Sequence, residues 1–127
     1  MAAHTIGFIG LGNMGGPMAA NLARAGHAVR GFDLSEDAKR LAREAGVSIV
    51  ASAVEAAEAA DTVITMLPTG THVLSVWGEI AETVASGTLL IDSSTIDVDS
   101  ARKAHDLALA KGCLSIDAPV SGGTGGA

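Results

Sequence analysis

Three glycines, Gly10, Gly12 and Gly15, carry G-x-G-x-x-G spacing in the run Gly10-Leu11-Gly12-Asn13-Met14-Gly15. They stand between a short aliphatic run and an alanine-rich amphipathic stretch. The chemistry this spacing serves is anion capture. The first glycine permits a tight turn, the second lets main chain approach a pyrophosphate, and the third lets the following helix pack against the strand. Free N–H groups at that helix terminus, aided by its dipole, hold the charge. In a chain with 16 glycines the spacing alone is weak, and a glycine-rich turn without a ligand is the plain alternative. Its place after a strand pattern, opening a helix, inside a β-α-β unit of roughly thirty residues, makes it a dinucleotide-binding motif.

Asp33 lies 18 residues beyond Gly15, at the end of the next aliphatic run. A carboxylate there accepts hydrogen bonds from adenosine ribose hydroxyls and repels a 2′-phosphate, which points to NAD as cofactor, with NADP the weaker candidate. Lys39 and Arg40 keep NADP open, and capping of the helix that begins at Ser35 is the other role for Asp33. His4, His27, His72 and His105 are scattered without ligand spacing, so no metal is expected. His27, after Gly26 at a helix end, reads as a cap or surface residue. Glu55, Glu58 and Asp61 read as a solvated helix face. Cys113 has no cysteine partner and reads as a small buried hydrophobe rather than a catalytic thiol. A reducing cytoplasm is the expected setting.

The elements that must position these residues alternate. Aliphatic runs predict strands at Thr5–Ile9, Ala28–Phe32, Val47–Val50, Thr62–Met66, Thr88–Ile91 and Leu114–Asp117. Between them, helices are expected at Asn13–Ala25, Ser35–Ala45, Ser52–Ala60, Thr71–Val84 (broken at Gly78) and Val98–Lys111. Ser35 is the candidate N-cap of the second helix and Gly46 its terminating glycine. In the first helix Met14, Met18, Leu22 and Ala25 share a face, and Pro17 is tolerable because it lies in or near the first turn. Six strands with helical crossovers imply an α/β fold: a Rossmann-type, doubly wound parallel sheet in a single domain. The tail from Ser121 to Ala127 reads as a loop cut off in mid-course.

Composition agrees. Hydrophobic residues make up 48% of the 127, and aromatic ones 2%. Small aliphatic side chains and many glycines suit helices packed closely on a parallel sheet. A formal net charge of −6 argues against nucleic acid as a partner. No apolar run reaches the length of a membrane span, and the amino terminus has no basic stretch of a signal peptide.

Other segments bring a more specific resemblance. Gly7 to Gly15 with Pro17-Met18-Ala19 and Asn21-Leu22, then Met66-Leu67-Pro68, Asp92-Ser93-Ser94-Thr95-Ile96 and Asp117-Ala118-Pro119-Val120-Ser121-Gly122-Gly123, resemble the β-hydroxyacid dehydrogenases in identity and order. The resemblance spans the chain. It implies an oxidoreductase that reversibly oxidises a small hydroxy acid, 3-hydroxyisobutyrate to methylmalonate semialdehyde, with NAD. It implies that Leu67, Pro68 and Thr95 line the cofactor, joining Gly10, Leu11, Gly12, Asn13, Met14, Gly15 and Asp33. It also implies that Ser121, Gly122 and Gly123 contact the substrate. Plainer roles remain: Pro68 as a strand terminator, Ser93-Ser94-Thr95 as a polar turn, Ser121-Gly122-Gly123 as a flexible connector. The family's general acid/base is a lysine on a helix beyond the Ser-Gly-Gly loop. Lys39, Lys103 and Lys111 do not match it; Lys111 complements a helix dipole. No catalytic residue is therefore expected within residues 1–127, and this chain reads as the cofactor half of a longer, homo-oligomeric enzyme. An NADPH-dependent reductase of tartronate semialdehyde or glyoxylate, or a non-catalytic NAD(H)-binding module, are the alternatives.

Overall fold

The structure, a computed structural model, describes residues 3–127. Strands β1 (Thr5–Ile9), β2 (Ala28–Phe32), β3 (Ser48–Ile49), β4 (Thr62–Thr65), β5 (Leu89–Asp92) and β6 (Leu114–Asp117) alternate with six helices. These are α1 (Gly15–Arg24), α2 (Glu36–Glu44), α3 (Ala53–Ala57), α4 (Gly70–Ile80), α5 (Val98–Ala110) and α6 (Gly123–Gly126). All strand pairs are parallel and the sheet order is β3-β2-β1-β4-β5-β6. The order reverses between β1 and β4. In such sheets ligands sit beyond the carboxyl ends of the strands at that switch point.

Adjacent residues of a strand face opposite sides, and the core divides accordingly. Phe8 and Val29 pack with Leu11, Ala19, Ala42 and Val47 under α1 and α2. Ile9, Val63 and Leu90 pack with Ala56, Ala57, Val73, Trp77, Ile80 and Ala104 under α3, α4 and α5. Alanines recur in both layers, Ala19 and Ala42 on one side and Ala53, Ala56, Ala57, Ala60, Ala104 and Ala108 on the other. Ser35, Ser52, Thr69 and Asp97 each cap the helix that follows by accepting a backbone N–H. Gly46, at φ +101°, ends the α2 turn, with the Val47 N–H donating to the Ala42 carbonyl.

Several expectations need correction. Helix α1 starts at Gly15 rather than Asn13, because residues 11–14 are spent on the turn that precedes it. Pro17 consequently sits in the first turn, where its missing N–H costs no intrahelical bond. The buried face of α1 centres on Gly15, Ala19 and Ala20, with Met18 and Leu22 flanking and Ala25 exposed. Helix α4 is unbroken at Gly78: burial of Val73, Trp77 and Ile80 on both sides of the glycine outweighs a propensity cost of about 1 kcal/mol. It ends at Ile80, short of Val84. Strand β3 shrinks to two residues, and β5 runs one residue later than expected, to Asp92. Glu55 and Asp61 are not merely solvated, since they accept the Ala51 and Thr5 N–H groups. The tail forms a short helical turn, α6, entered through Gly122 at φ +95°. Among the described residues no helix is long and apolar enough to cross a membrane.

Candidate cofactor site

The β1–α1 turn shows why its glycines are glycines. Gly10 has φ +100°, and a Cβ there would stand 2.1 Å from the Met66 carbonyl oxygen at the end of β4. At Gly15 a Cβ would stand 1.8 Å from the Gly10 carbonyl oxygen and 3.2 Å from the Phe8 ring. Gly12 is different: nothing lies within 4 Å of its would-be Cβ. The fold needs Gly10 and Gly15; it leaves Gly12 bare, facing open space. Met14, the N-cap of α1, contributes no side-chain cap, so the first N–H groups of the helix keep no side-chain partner.

Asp33 reaches this turn from the end of β2. One carboxylate oxygen accepts the Leu11 N–H at 2.7 Å and the other accepts the Ser35 N–H at 2.8 Å. The helix cap belongs to Ser35, whose hydroxyl accepts the Ala38 N–H. Each Asp33 oxygen thus retains acceptor capacity. Leu11, Gly12, Asn13, Asp33 and Ser35 line one cleft of about 600 Å³ between the glycine turn, α1 and α2. The two cations that kept NADP open are paired along α2. Lys39 Nζ lies 2.8 Å from Glu36, holding that carboxyl below its usual range, and 5.8 Å from the centre of the Phe32 ring. Arg40 lies 3.7 Å from Asp37 and 3.6 Å from Glu44.

The remaining expected residues fall outside that cleft, on neighbouring strand ends. Leu67 is half-buried, while Pro68 and Thr95 are exposed. Met66 N–H donates to the Ile9 carbonyl, Ser93 N–H to Thr65 and Ala118 N–H to Asp92, which sets the carboxyl ends of β1, β4, β5 and β6 side by side. Ser121, Gly122 and Gly123 are exposed at the entrance to α6, and the Asn21 side chain of α1 donates to the Ala127 carbonyl. Among the described residues no group of three His, Cys, Asp or Glu side chains is placed to share an ion. Cys113 is 2% exposed, and burial pushes its thiol pKa up.

Sequence reasoning missed a buried polar knot behind these loops. Trp77 Nε1–H donates to Thr65 Oγ1 at 3.0 Å, and the Thr65 hydroxyl donates to Asp92 Oδ1 at 2.9 Å. The Leu67 N–H donates to Ser94 Oγ at 2.7 Å, whose own hydroxyl donates to Asp92 Oδ1 at 2.6 Å. The Ser94 N–H reaches the same oxygen at 3.2 Å. Asp92 Oδ2 is buried and has no hydrogen-bond partner among the described residues. Desolvation raises the Asp92 pKa, against the lowering effect of the Ser94 and Thr65 bonds. The available signal was an acid directly after Leu89-Leu90-Ile91, one residue inside the strand rather than beyond it.

A glycine turn, an opposed acid and a 3-2-1-4-5-6 parallel sheet define a dinucleotide-binding domain of the Rossmann class. Residues 5–127 match the family described as the NAD binding domain of 6-phosphogluconate dehydrogenase; the chain belongs to that family, and its cofactor is NAD. It is 54% identical over 123 residues to a probable 3-hydroxyisobutyrate dehydrogenase of Mycobacterium tuberculosis, covering 97% of this chain and 42% of that protein. It is 48% identical over 126 residues to the NAD-dependent L-serine dehydrogenase of Pseudomonas aeruginosa, covering 96% and 42%. The solved structure of M. tuberculosis 3-hydroxyisobutyrate dehydrogenase with L-serine matches with a TM-score of 0.97 at 52% identity, over 99% of this chain and 43% of that one. The chain thus spans about two-fifths of the length of these relatives.

Proposed function

We propose that this chain is the cofactor-holding part of an enzyme that reversibly oxidises a small 3-hydroxy acid, 3-hydroxyisobutyrate being the first candidate. The observation that carries the reading is the open face of Gly12 beside Asp33 in one cleft. Gly12, Asn13, Met14 and Gly15 would receive the pyrophosphate on main-chain N–H groups, while Gly10 and Leu11 would shape the turn, their own N–H groups donating to the Phe32 carbonyl and to Asp33. Asp33, each oxygen already holding one N–H, would accept the adenosine ribose hydroxyls with its remaining lone pairs. Leu67, Pro68 and Thr95, on the ends of β4 and β5, would flank the nicotinamide. Bound NAD supplies a hydride acceptor; the protein contributes orientation and exclusion of water.

Ser121 with the N–H groups of Gly122 and Gly123 would hold the carboxylate of the acid. Proton transfer from its hydroxyl needs a base, and each lysine among the described residues already has a carboxylate partner. Lys39 and Lys103 are paired with Glu36 and Asp99 on the surfaces of α2 and α5, and Lys111 with Glu82 just beyond the ends of α5 and α4. We assign the base to a lysine in a further segment, and the complete protein to a homo-oligomer. The 127-residue chain is expected to bind NAD and to turn over nothing; measurable oxidation of 3-hydroxyisobutyrate by it would overturn this division of labour.

L-Serine is a second candidate substrate, supported by the L-serine dehydrogenase relative and by the serine named with the solved structure. It is itself a 3-hydroxy acid, so the same carboxylate and hydroxyl contacts serve both. Calorimetric titration with NAD and NADP tests the cofactor half of the proposal. Tighter binding of NADP to the unmodified chain would defeat the role given to Asp33.

A further inference from the structure

The knot beneath the cofactor loops has a direction. Thr65 Oγ1 accepts the indole N–H and Ser94 Oγ accepts the Leu67 N–H, so each hydroxyl turns its proton to Asp92 Oδ1. That one oxygen is the common acceptor of two chains of hydrogen bonds. One runs into α4 through Trp77; the other ends on the backbone of the turn after β4. Thr65 and Asp92 are register partners on adjacent strands, and both are buried with Ser94 and Trp77.

We propose that Asp92 is a positioning residue for the cofactor, its Oδ1 atom fixing the Leu67–Pro68 turn and the Ser94–Thr95 turn at one spacing. This rests on the reading that Leu67, Pro68 and Thr95 flank the nicotinamide. The tie reaches the phosphate site as well, because the Met66 carbonyl, one residue before Leu67, packs against Gly10. A turn free to drift at Leu67 would lose both contacts together. Oδ1 acts only as an acceptor, so an amide oxygen serves in its place and charge is not what the knot requires. Burial works in the same sense, since it favours the neutral carboxyl.

A knot that merely stabilises the fold and one that positions a loop respond differently to cutting its two arms. Ser94→Ala severs the Leu67 arm and leaves Trp77, Thr65 and Asp92 joined. Trp77→Phe severs the other arm and leaves Leu67 tied. The test uses the whole 127-residue chain: NAD titration by calorimetry, thermal melting, and hydrogen exchange of the Leu67 amide without ligand. Ser94→Ala is expected to weaken NAD binding roughly tenfold, the size of one buried hydrogen bond, and to speed Leu67 exchange. Trp77→Phe is expected to lower Tm while keeping the NAD Kd within about threefold, and Asp92→Asn to stay within the same margin.

Ser94→Ala with fast Leu67 exchange but parental NAD affinity would overturn the proposal and leave the cofactor reading standing. Unchanged Leu67 exchange in that variant would overturn the tether itself. Asp92→Asn losing as much affinity as Ser94→Ala would overturn the acceptor role. An unmodified chain that binds no NAD would overturn the cofactor reading and this proposal with it, a result told apart by the ligand-free exchange data.

Discussion

The three glycines of the β1–α1 turn fall into two physical kinds, and substitution by alanine separates them. At Gly15 the added Cβ would lie 1.8 Å from the Gly10 carbonyl oxygen, an approach no rotamer change relieves, so α1 must move off β1. Overpacking of that sort costs about 1–3 kcal/mol. For a domain of this size that is a fall in Tm of roughly 4–12 °C. At Gly12 the same Cβ meets nothing within 4 Å, and the residue is not among those with positive φ. Gly12→Ala should therefore leave Tm unchanged or raise it, since alanine restricts the unfolded chain and contributes about 0.4–1 kcal/mol at an unstrained site. Its effect belongs to binding: the methyl fills the space a pyrophosphate needs, and loss of one charge-assisted N–H contact of about 1.5–3 kcal/mol weakens NAD between tenfold and a hundredfold. Differential scanning fluorimetry and calorimetric NAD titration of both variants make the comparison. Gly12→Ala with parental NAD affinity, or with a Tm loss matching Gly15→Ala, would refute the assignment of open space to the cofactor.

Asp33→Ala should weaken NAD more than NADP, so the ratio of their Kd values narrows; it also strips the Leu11 and Ser35 N–H groups of their acceptor, costing about 1–2 kcal/mol in melts. The raised Asp92 pKa means the folded state holds this proton more tightly than the unfolded chain. The group's stabilising contribution is full below its unfolded pKa and is lost as pH rises through the folded one. Stability of the parent relative to Asp92→Asn should accordingly decline from about pH 4 upward, read from paired melts across that range. Cys113 is buried with its thiol pKa raised, so alkylation by iodoacetamide at neutral pH should track unfolding and be slow in the native protein, as followed by mass spectrometry.

Most of the frame was legible because its signals are local. The glycine turn, Asp33 at the end of β2, the Ser35 cap and the Gly46 stop each declare themselves within a few residues. What escaped required knowing which residues lie across from each other. Asp92 stands one residue past the expected strand end at Ile91, and only the observed pairing carries β5 through it, opposite Thr65. The Trp77 N–H finds its acceptor on Thr65, a residue 12 positions away on another element. Gly78 reads as a helix break because propensity counts its cost and not the burial of Trp77 and Ile80 beside it. The exposed Ser121-Gly122-Gly123 loop was named by resemblance alone, since no local pattern foretells the helical turn that follows it.

The chain contains one tryptophan and no tyrosine, so its ultraviolet emission comes from a single indole. That indole is Trp77, sealed from water and one hydroxyl away from Asp92, the acid to which Thr65 and Ser94 are hydrogen-bonded. The molecule therefore carries its own optical reporter where one would choose to place it. Reduced nicotinamide absorbs in the region where indole emits, so quenching of the native fluorescence can follow NADH loading in real time, without a label.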